Sequence, residues 1–212
     1  MYDAALFVHL LGVALLIAAV TTSVLVTLRS HTAKTVAEIR VIAAVTRKID
    51  VVIGPAMLFI LAAGLYMVAK GGDDGSIHWS SGWVDVALAI FAVMSVLGPT
   101  IESGHAKQLL AAADQTPDGP VVGELDALRR APVPVYVSLF GVFQILAFLF
   151  LMTNKPGLGS AIATCAIAAI VGLGLAGLRV RQIAVPAAAT ATATVPQQAA
   201  PVDVAQAVEP HA

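Results

Sequence analysis

Five long apolar stretches, each near the length that a helix needs to cross a bilayer, constrain this sequence more than any other feature. A bilayer core takes about 20 consecutive apolar residues in a helix. The stretches run from about Ala4 to Leu28, Val51 to Ala69, Trp83 to Ile101, Pro134 to Met152 and Leu158 to Leu178. They predict an all-α fold, a polytopic membrane helix bundle with five transmembrane helices.

The composition excludes several other classes of protein. Hydrophobic residues make up 58% of the 212 residues and charged residues 12%, whereas soluble domains carry about 25% charged residues. A soluble domain of this size could not bury so much apolar surface, which excludes an ordinary cytosolic enzyme and a disordered chain. The apolar composition makes the lipid bilayer the expected partner. The formal net charge is −1, so there is no overall positive charge to attract nucleic acid, and we do not expect nucleic acid as a partner.

Lysine and arginine residues are concentrated in alternate loops. Ten of them lie in the first loop, in the third loop and after the fifth stretch, and two lie in the other loops. Because cytoplasmic loops are enriched in Lys and Arg, this pattern predicts the N-terminus outside and the C-terminus inside. The first stretch lacks a positively charged n-region and is too long for a signal peptide, so we expect it to be retained.

The composition changes after Arg181. Residues 184–212 are rich in Ala, Thr and Pro and contain no Lys or Arg. Such a segment cannot bury enough apolar surface to fold by itself. The sequence therefore predicts a transmembrane helix bundle over residues 1–183 and a disordered cytoplasmic tail over residues 184–212.

The loops on the predicted cytoplasmic side contain helical patterns of their own. Apolar residues recur at helical spacing in Ala33–Asp50, which predicts an amphipathic helix that either lies at the membrane surface or extends the second span. Glu102–Asp114 is predicted to extend the third helix, and Pro99 to kink it or to end its regular part. Val122–Arg130 is predicted to be a short surface helix.

His9 places an ionisable ring inside the first stretch, roughly 7 Å below the outer helix end at 1.5 Å per residue. A neutral imidazole there could ligate haem or a metal, relay protons, or bond a neighbouring backbone carbonyl. His78, in a loop on the same side, is the partner that could join it in a metal site. Haem or copper is therefore an open alternative, although no cofactor is predicted outright.

Three polar side chains lie deep in the predicted spans. Gln144 is in the middle of the fourth stretch, and Thr21 and Thr22 are deep in the first. Such groups form hydrogen bonds between helices or back to their own helix, and they can also line a path for a polar solute.

Glycines mark the fifth stretch. Gly172, Gly174 and Gly177 lie among many alanines. Small residues let helices approach closely. The stripe therefore predicts either an internal packing face or a contact with a membrane protein partner or a second copy of the chain.

A second group of polar residues gathers at the predicted cytoplasmic side. Asp50, Glu102 and His105 lie at about the same level of the second and third helices. They could form a small polar site, or they could be solvated groups at the aqueous ends of helices.

Four short motifs stand out in the first four stretches. They are Leu6-Phe7-Val8-His9-Leu10-Leu11-Gly12, Gly54-Pro55 leading to Gly64-Leu65, Trp83, and Met152-Thr153-Asn154-Lys155-Pro156. Together they resemble the domain of unknown function 2269 family of predicted bacterial integral membrane proteins. The resemblance covers about Tyr2 to Pro156. It implies a four-helix membrane core plus one added helix, in a bacterial-type cytoplasmic membrane.

A wider likeness is to HemJ-type protoporphyrinogen oxidases and CopD-type copper proteins, whose first helix also carries a His near its outer part. It implies that His9 is a ligand or a redox-site residue. The HemJ-type pattern includes a basic residue in a later span, and the third stretch here carries none.

The sequence contains no phosphate-binding loop, no HExxH, no GxSxG and no cysteine pair. We therefore expect a multi-pass membrane protein with a structural or accessory role in a membrane assembly, and we lean against an enzyme. One alternative is a haem- or metal-binding redox protein that uses His9. A second is a small-solute transporter with a path lined by Gln144, Thr21 and Thr22.

Overall fold

The computed structural model of the protein describes residues 1–72, 75 and 77–193, with side chains as far as residue 183. Apart from an isolated bridge between Thr35 and Pro120, the regular secondary structure in this part of the chain is helical. The helices are α1 (Tyr2–Ser30), α2 (Val36–Ala69), α3 (Gly82–Leu97), a π-helix (Gly98–Ser103), α4 (Gly104–Asp114), α5 (Gly123–Arg129), α6 (Val133–Asn154) and α7 (Leu158–Ala193).

Five helical segments within the described residues are long and apolar enough to cross a membrane, as predicted. They are Tyr2–Ser30, Val36–Ala69, Gly82–Asp114, Gly123–Asn154 and Leu158–Ile183. Most of their side chains face outwards, and large apolar ones such as Phe7 and Leu58 are exposed. An outward apolar surface of this extent is what a bilayer would cover.

The bundle has two ends, which differ in structure. The His9 end contains the loops between α2 and α3 and between α6 and α7. The His31 end contains α4, α5 and the loop between α1 and α2. These two names are used below.

The amphipathic segment Ala33–Asp50 is an extension of the second span and not a separate surface helix. Thr35 caps α2 by accepting a hydrogen bond from the backbone N–H of Glu38, and the Glu38 carboxylate accepts one from the N–H of Lys34. This reciprocal capping fixes the start of the helix. At 1.5 Å per residue a helix of 34 residues is about 50 Å long, so its first turns project beyond a bilayer core of about 30 Å.

Pro99 ends the regular part of the third helix, as predicted. The helix changes at Gly98 into a π-helix of six residues and returns to α-helical geometry at Gly104. A proline removes one backbone donor, and a wider helical turn accommodates the interruption without a break in the chain direction.

A small apolar core forms at the His31 end, where α2, α4 and α5 meet. We call these parts the helical cap; its buried residues are Ala33, Val36, Ile39, Leu109, Ala113 and Leu125. The guanidinium of Arg40 closes it by donating to the carbonyls of Ala113 and Thr116 and pairing with Asp118. The carbonyl of Ala113 at the end of α4 and that of Thr116 just beyond the helix thereby have a hydrogen-bond donor.

Close helix packing depends on two glycines. A Cβ on Gly12 of α1 would lie 2.9 Å from Cγ1 of Ile60 and 3.0 Å from the carbonyl oxygen of Ala56, so α1 and α2 touch at this point. A Cβ on Gly172 would lie 3.0 Å from the carbonyl oxygen of Leu139, so α7 and α6 touch in the same way. Only a residue without a side chain permits this separation.

The predicted glycine stripe of the fifth span divides into two faces. Gly172 and Gly177 face α6, where a Cβ on Gly177 would lie 3.5 Å from the Tyr136 hydroxyl. A Cβ on Gly174 would meet nothing within 4 Å. Two of the three glycines therefore serve packing within the chain.

Helix α7 continues beyond the predicted span. It runs to Ala193, so the first ten residues of the segment predicted as a tail are helical. The rest of the predicted tail, residues 194–212, lies outside the described residues.

Candidate functional site

A cavity of about 360 Å³ lies at the His9 end, among side chains of α1, α2, α3 and α6. We call it the His9 cavity. Its volume falls in the range of small-molecule sites, about 300–1,000 Å³. Its wall is apolar except for a few groups, which are Tyr2, His9, Trp83, Thr153 and Lys155. Leu10 lines the cavity and is also 56% exposed, so the cavity opens on the surface that lipid would cover.

His9 is the buried polar group of this cavity, with 6% of its surface exposed. Its Nδ1 lies 2.9 Å from the carbonyl oxygen of Ile60. A carbonyl can only accept a hydrogen bond, so Nδ1 carries the proton and donates. In a neutral imidazole the lone pair is then on Nε2.

The sequence places His9 in this position through small residues on both helices. Gly12, one turn further along α1, lets α1 approach α2. A Cβ on Gly64 of α2 would lie 3.3 Å from Cε1 and 3.4 Å from Nδ1 of His9, so the absence of a side chain there makes room for the ring. His9 follows Tyr2, the first residue of α1, by seven positions, which is about 10 Å along the helix. The interpretation of His9 as a group bonded to a neighbouring backbone carbonyl is confirmed.

His78 is exposed in the loop between α2 and α3, and it does not line the His9 cavity. Its backbone N–H donates to the Ser81 hydroxyl at 3.2 Å. Within the described ranges no group of three His, Cys, Asp or Glu residues could hold a metal ion. One imidazole nitrogen does not make a site for a bare copper ion, but it suits a ring-bound iron whose other ligands come from the ring.

Gln144, Thr21 and Thr22 do not share a cavity. Gln144 is 1% exposed on α6, and its Nε2 donates to the carbonyl oxygen of Cys165 on α7 at 3.1 Å. Thr22 donates to Ala18 of its own helix at 2.8 Å, and both threonines are exposed on the surface of α1. Gln144 thus forms an interhelical bond and Thr22 a local one, which are the two hydrogen-bonding roles that the sequence suggested.

A second, much smaller cavity of about 30 Å³ lies at the His31 end. We call it the His31 cavity. Its polar lining residues are Ser23, Thr27, Ser30, His31, Thr46, Glu102 and His105. Such a volume has room for about one or two water molecules. The structure thus brings Glu102 and His105 together, as the sequence suggested, whereas Asp50 is not in the lining.

His31 is the residue of this cavity that sequence reasoning missed. Its Nδ1 is buried and has no hydrogen-bond partner. Burial, and then the positive charges of Arg129, His105, Arg130 and Arg179, lower the pKa of His31 to about 4. The ring is therefore neutral near pH 7 and available to a water in the cavity.

Arg129 holds the loop of His31 against α5. Arg129 donates to the carbonyl oxygen of His31 at 2.6 Å and pairs with Asp126 at 2.5 Å. Arg130 pairs with the same carboxylate at 2.9 Å, as expected for residues four apart on a helix. Arg129 and His31 are 98 positions apart in the chain. No local pattern in the sequence signals a contact of that kind.

The family model DUF2269, a predicted integral membrane protein, matches residues 4–156. No curated protein and no solved structure matches the chain. The matched region contains α1 to α6 and ends before α7. All residues that line the His9 cavity lie in it except Tyr2.

Proposed function

The chain belongs to the DUF2269 family of predicted integral membrane proteins, and from this premise we propose that it binds an apolar, membrane-soluble small molecule in the His9 cavity. The observation that carries the proposal is a cavity of about 360 Å³ with an apolar wall and one buried imidazole in that wall. Ligand sites are mostly apolar concavities in which a few placed polar groups orient the ligand. The protein is then an accessory component of the membrane that holds this ligand.

The motifs that carry the sequence resemblance support this location. His9, Gly64, Trp83, Met152 and Lys155 belong to four separate motifs, and all of them line the cavity. Residues from all four motifs therefore meet at one site. The opening beside Leu10 lets a ligand dissolved in the bilayer enter without passing through water.

The orientation of the chain sets the side on which the ligand binds. The lysines and arginines of the charge-rich segments, such as Arg47 in α2 and Arg179 in α7, belong to the His31 end. The positive-inside rule therefore supports a cytoplasmic His31 end and a His9 cavity in the outer half of a bacterial-type cytoplasmic membrane. In a chain with Cys165 replaced by Ala, His78→Cys should react with an impermeant maleimide in intact cells, and Arg47→Cys only after lysis. The reverse pattern contradicts the orientation.

A ring-bound metal is the one cofactor chemistry that the donor set suits. His9 would hold such a group through the lone pair on Nε2. The bound group would supply the redox chemistry, and the chain would supply the nitrogen ligand and the apolar enclosure. A Soret band in the purified protein, absent in His9→Ala, identifies this case.

The test compares two substitutions on α1. Val13 lines the cavity, and Val13→Phe fills part of it, whereas Leu11 is exposed on the same helix and outside the cavity lining. Each variant is purified in nanodiscs together with wild type, and the bound small molecules are extracted and identified by mass spectrometry and absorption. We expect a stoichiometric molecule in wild type and in Leu11→Phe, and its loss in Val13→Phe.

Two results would contradict the proposal. One is a wild-type protein that retains no molecule beyond the bulk lipids of the nanodisc. The other is an equal retention in both phenylalanine variants, which would show that the molecule binds elsewhere. Tryptophan fluorescence and thermal unfolding of the variants confirm that each is folded.

A further inference from the structure

The hydrogen bond between His9 and Ile60 restricts what the His9 cavity can recognise. Because the Ile60 carbonyl accepts the proton of Nδ1 at 2.9 Å, Nε2 of a neutral ring can accept a hydrogen bond but cannot donate one. Only a second proton on the ring would make Nε2 a donor. The selectivity of the site therefore depends on whether that second proton is present.

The charges around the cavity keep the ring neutral. Among the described residues that line the cavity there is no carboxylate, and the charged side chain in the wall is the cation Lys155. An imidazolium in this apolar wall would lose its hydration and gain no counter-ion. Nε2 consequently meets the ligand as an acceptor.

We propose that the cavity selects a ligand that carries a hydrogen-bond donor, a hydroxyl on an apolar ring as in a phenol or a quinol, over its ether or carbonyl analogue. This inference rests on the proposed function. An ether or carbonyl oxygen would face the lone pair of Nε2 and leave both groups unpaired in an apolar cavity. A hydroxyl pairs both groups, because it donates its proton to the lone pair of Nε2.

The experiment uses two probes that differ in this group alone, 1-hydroxypyrene and 1-methoxypyrene. Trp83 lines the cavity and Trp79 is exposed in the loop. In a Trp79→Phe background, energy transfer from Trp83 to pyrene therefore reports on probes bound near the cavity. The saturable part of the transfer is measured in nanodiscs, and Val13→Phe supplies the signal of probe dissolved in lipid.

We expect 1-hydroxypyrene to bind about 3- to 10-fold more tightly than 1-methoxypyrene, the value of one hydrogen bond. In His9→Leu the two affinities should become equal while the apolar part of the binding remains. Equal affinities in the wild-type background, or a preference for the ether, overturn the inference and leave the proposed function intact. An absence of saturable transfer with both probes overturns the proposed function and this inference with it.

A second measurement is made on the wild-type protein and uses a variant only to assign the signal. In ¹⁵N-histidine-labelled wild-type protein, the His9 ring should show a one-bond N–H coupling at Nδ1 and none at Nε2. The signal is assigned by its loss in His9→Ala. A proton on Nε2, or on both nitrogens, at pH 7 would overturn the inference, because Nε2 could then not accept a hydroxyl proton.

Discussion

The two ends of the bundle bury polar side chains in opposite ways. At the His9 end one imidazole donates from Nδ1 to a backbone carbonyl, and a cavity of about 360 Å³ remains beside it. At the His31 end several polar side chains meet one another around about 30 Å³ of space, and ion pairs and a helical cap close the region. The first end has room for a molecule and the second has room for water.

The difference shows how a membrane bundle can hold an internal cavity without collapsing. Buried polar groups must be paired, and a cavity wall with unpaired groups would be filled by rearrangement of the helices. His9 pairs with α2 and not across the cavity, so its hydrogen bond does not draw the opposite wall inwards. At the His31 end, polar side chains bind between elements: Arg129 of α5 donates to the His31 carbonyl, Arg40 of α2 donates to the Ala113 carbonyl of α4, and Ser138 of α6 donates to Glu102 of the π-helix.

The largest effect is expected from the glycine that brings α1 to α2. In Gly12→Val the new side chain would overlap Ile60 and Ala56, so the helices must separate. We expect a loss of about 3 kcal/mol in the free energy of unfolding, seen as a lower thermal unfolding midpoint, and a loss of probe binding at the His9 cavity. Gly174→Val introduces the same residue in a span at a place where nothing lies within 4 Å. Equal losses in both variants would show that the close approach of α1 and α2 does not hold the cavity wall.

The next effect tests whether the two ends are independent. Arg40→Gln removes the guanidinium that donates to the Ala113 and Thr116 carbonyls. We expect a loss of about 2 kcal/mol, the value of hydrogen bonds to a charged group, confined to the helical cap. Hydrogen exchange should become faster in residues 104–120 and stay unchanged in α1. Arg47→Gln changes an exposed arginine of the same helix and is the control.

Measuring probe binding at the His9 cavity in Arg40→Gln decides whether the two ends are independent. If Arg40→Gln weakens binding at the His9 cavity as well, the helical cap and the cavity are coupled through α2. The contrast between an open end and a closed end would then be wrong as a description of two separate regions.

The fold was largely predictable from the sequence, and the arrangement of the two cavities was not. Long apolar runs give the spans directly, and the proline at position 99 marks the place where the regular part of the third helix ends. His9 could be singled out because an ionisable group inside a span is costly. Its hydrogen-bond partner is the backbone carbonyl of Ile60, and every residue has such a group. A contact of this kind therefore cannot be recognised from residue types.

The same reason explains why His31 was missed. It lies in a loop, where a histidine is ordinarily solvated, but Arg129, from a distant part of the chain, binds its carbonyl, and His105 lines the same cavity. Gly172 and Gly174 could not be told apart in the sequence either. Which of two glycines faces a neighbour depends on the rotation of α7 about its axis.

The pH dependence of stability gives a smaller effect, which sharpens the description of the His31 end. Folding lowers the pKa of His31 from 6.5 to about 4, so the unfolded chain binds more protons between these values. The stabilisation is fully present above about pH 6.5 and is lost as the pH falls towards 4. Because the ring is partly exposed and solvent screens its charge, we expect about 1 kcal/mol.

The measurement is the unfolding midpoint of wild type and of His31→Gln from pH 7.5 to pH 5. The wild-type midpoint should fall more steeply with decreasing pH than that of the variant. His78→Gln, which changes an exposed histidine at the other end, should keep the wild-type slope. A wild-type slope in His31→Gln as well would show that the ring is not enclosed by the cavity.

The smallest effect is expected at Gln144. It tests whether this buried amide supports the His9 cavity or contributes only to packing between α6 and α7. Its Nε2 bonds to the Cys165 carbonyl, but its Oε1 is buried without a partner. In Gln144→Met one hydrogen bond is lost and one unpaired oxygen is removed, and these terms nearly cancel, so we expect a change within about 0.5 kcal/mol. Leu151→Ala, on the same helix, should cost about 3 kcal/mol and shows that the assay detects a packing loss.

A loss at Gln144→Met as large as that, or a loss of probe binding, would mean that the contact between α6 and α7 supports the His9 cavity. The added helix α7, which the family match leaves out, would then be part of the site and not an attachment to it.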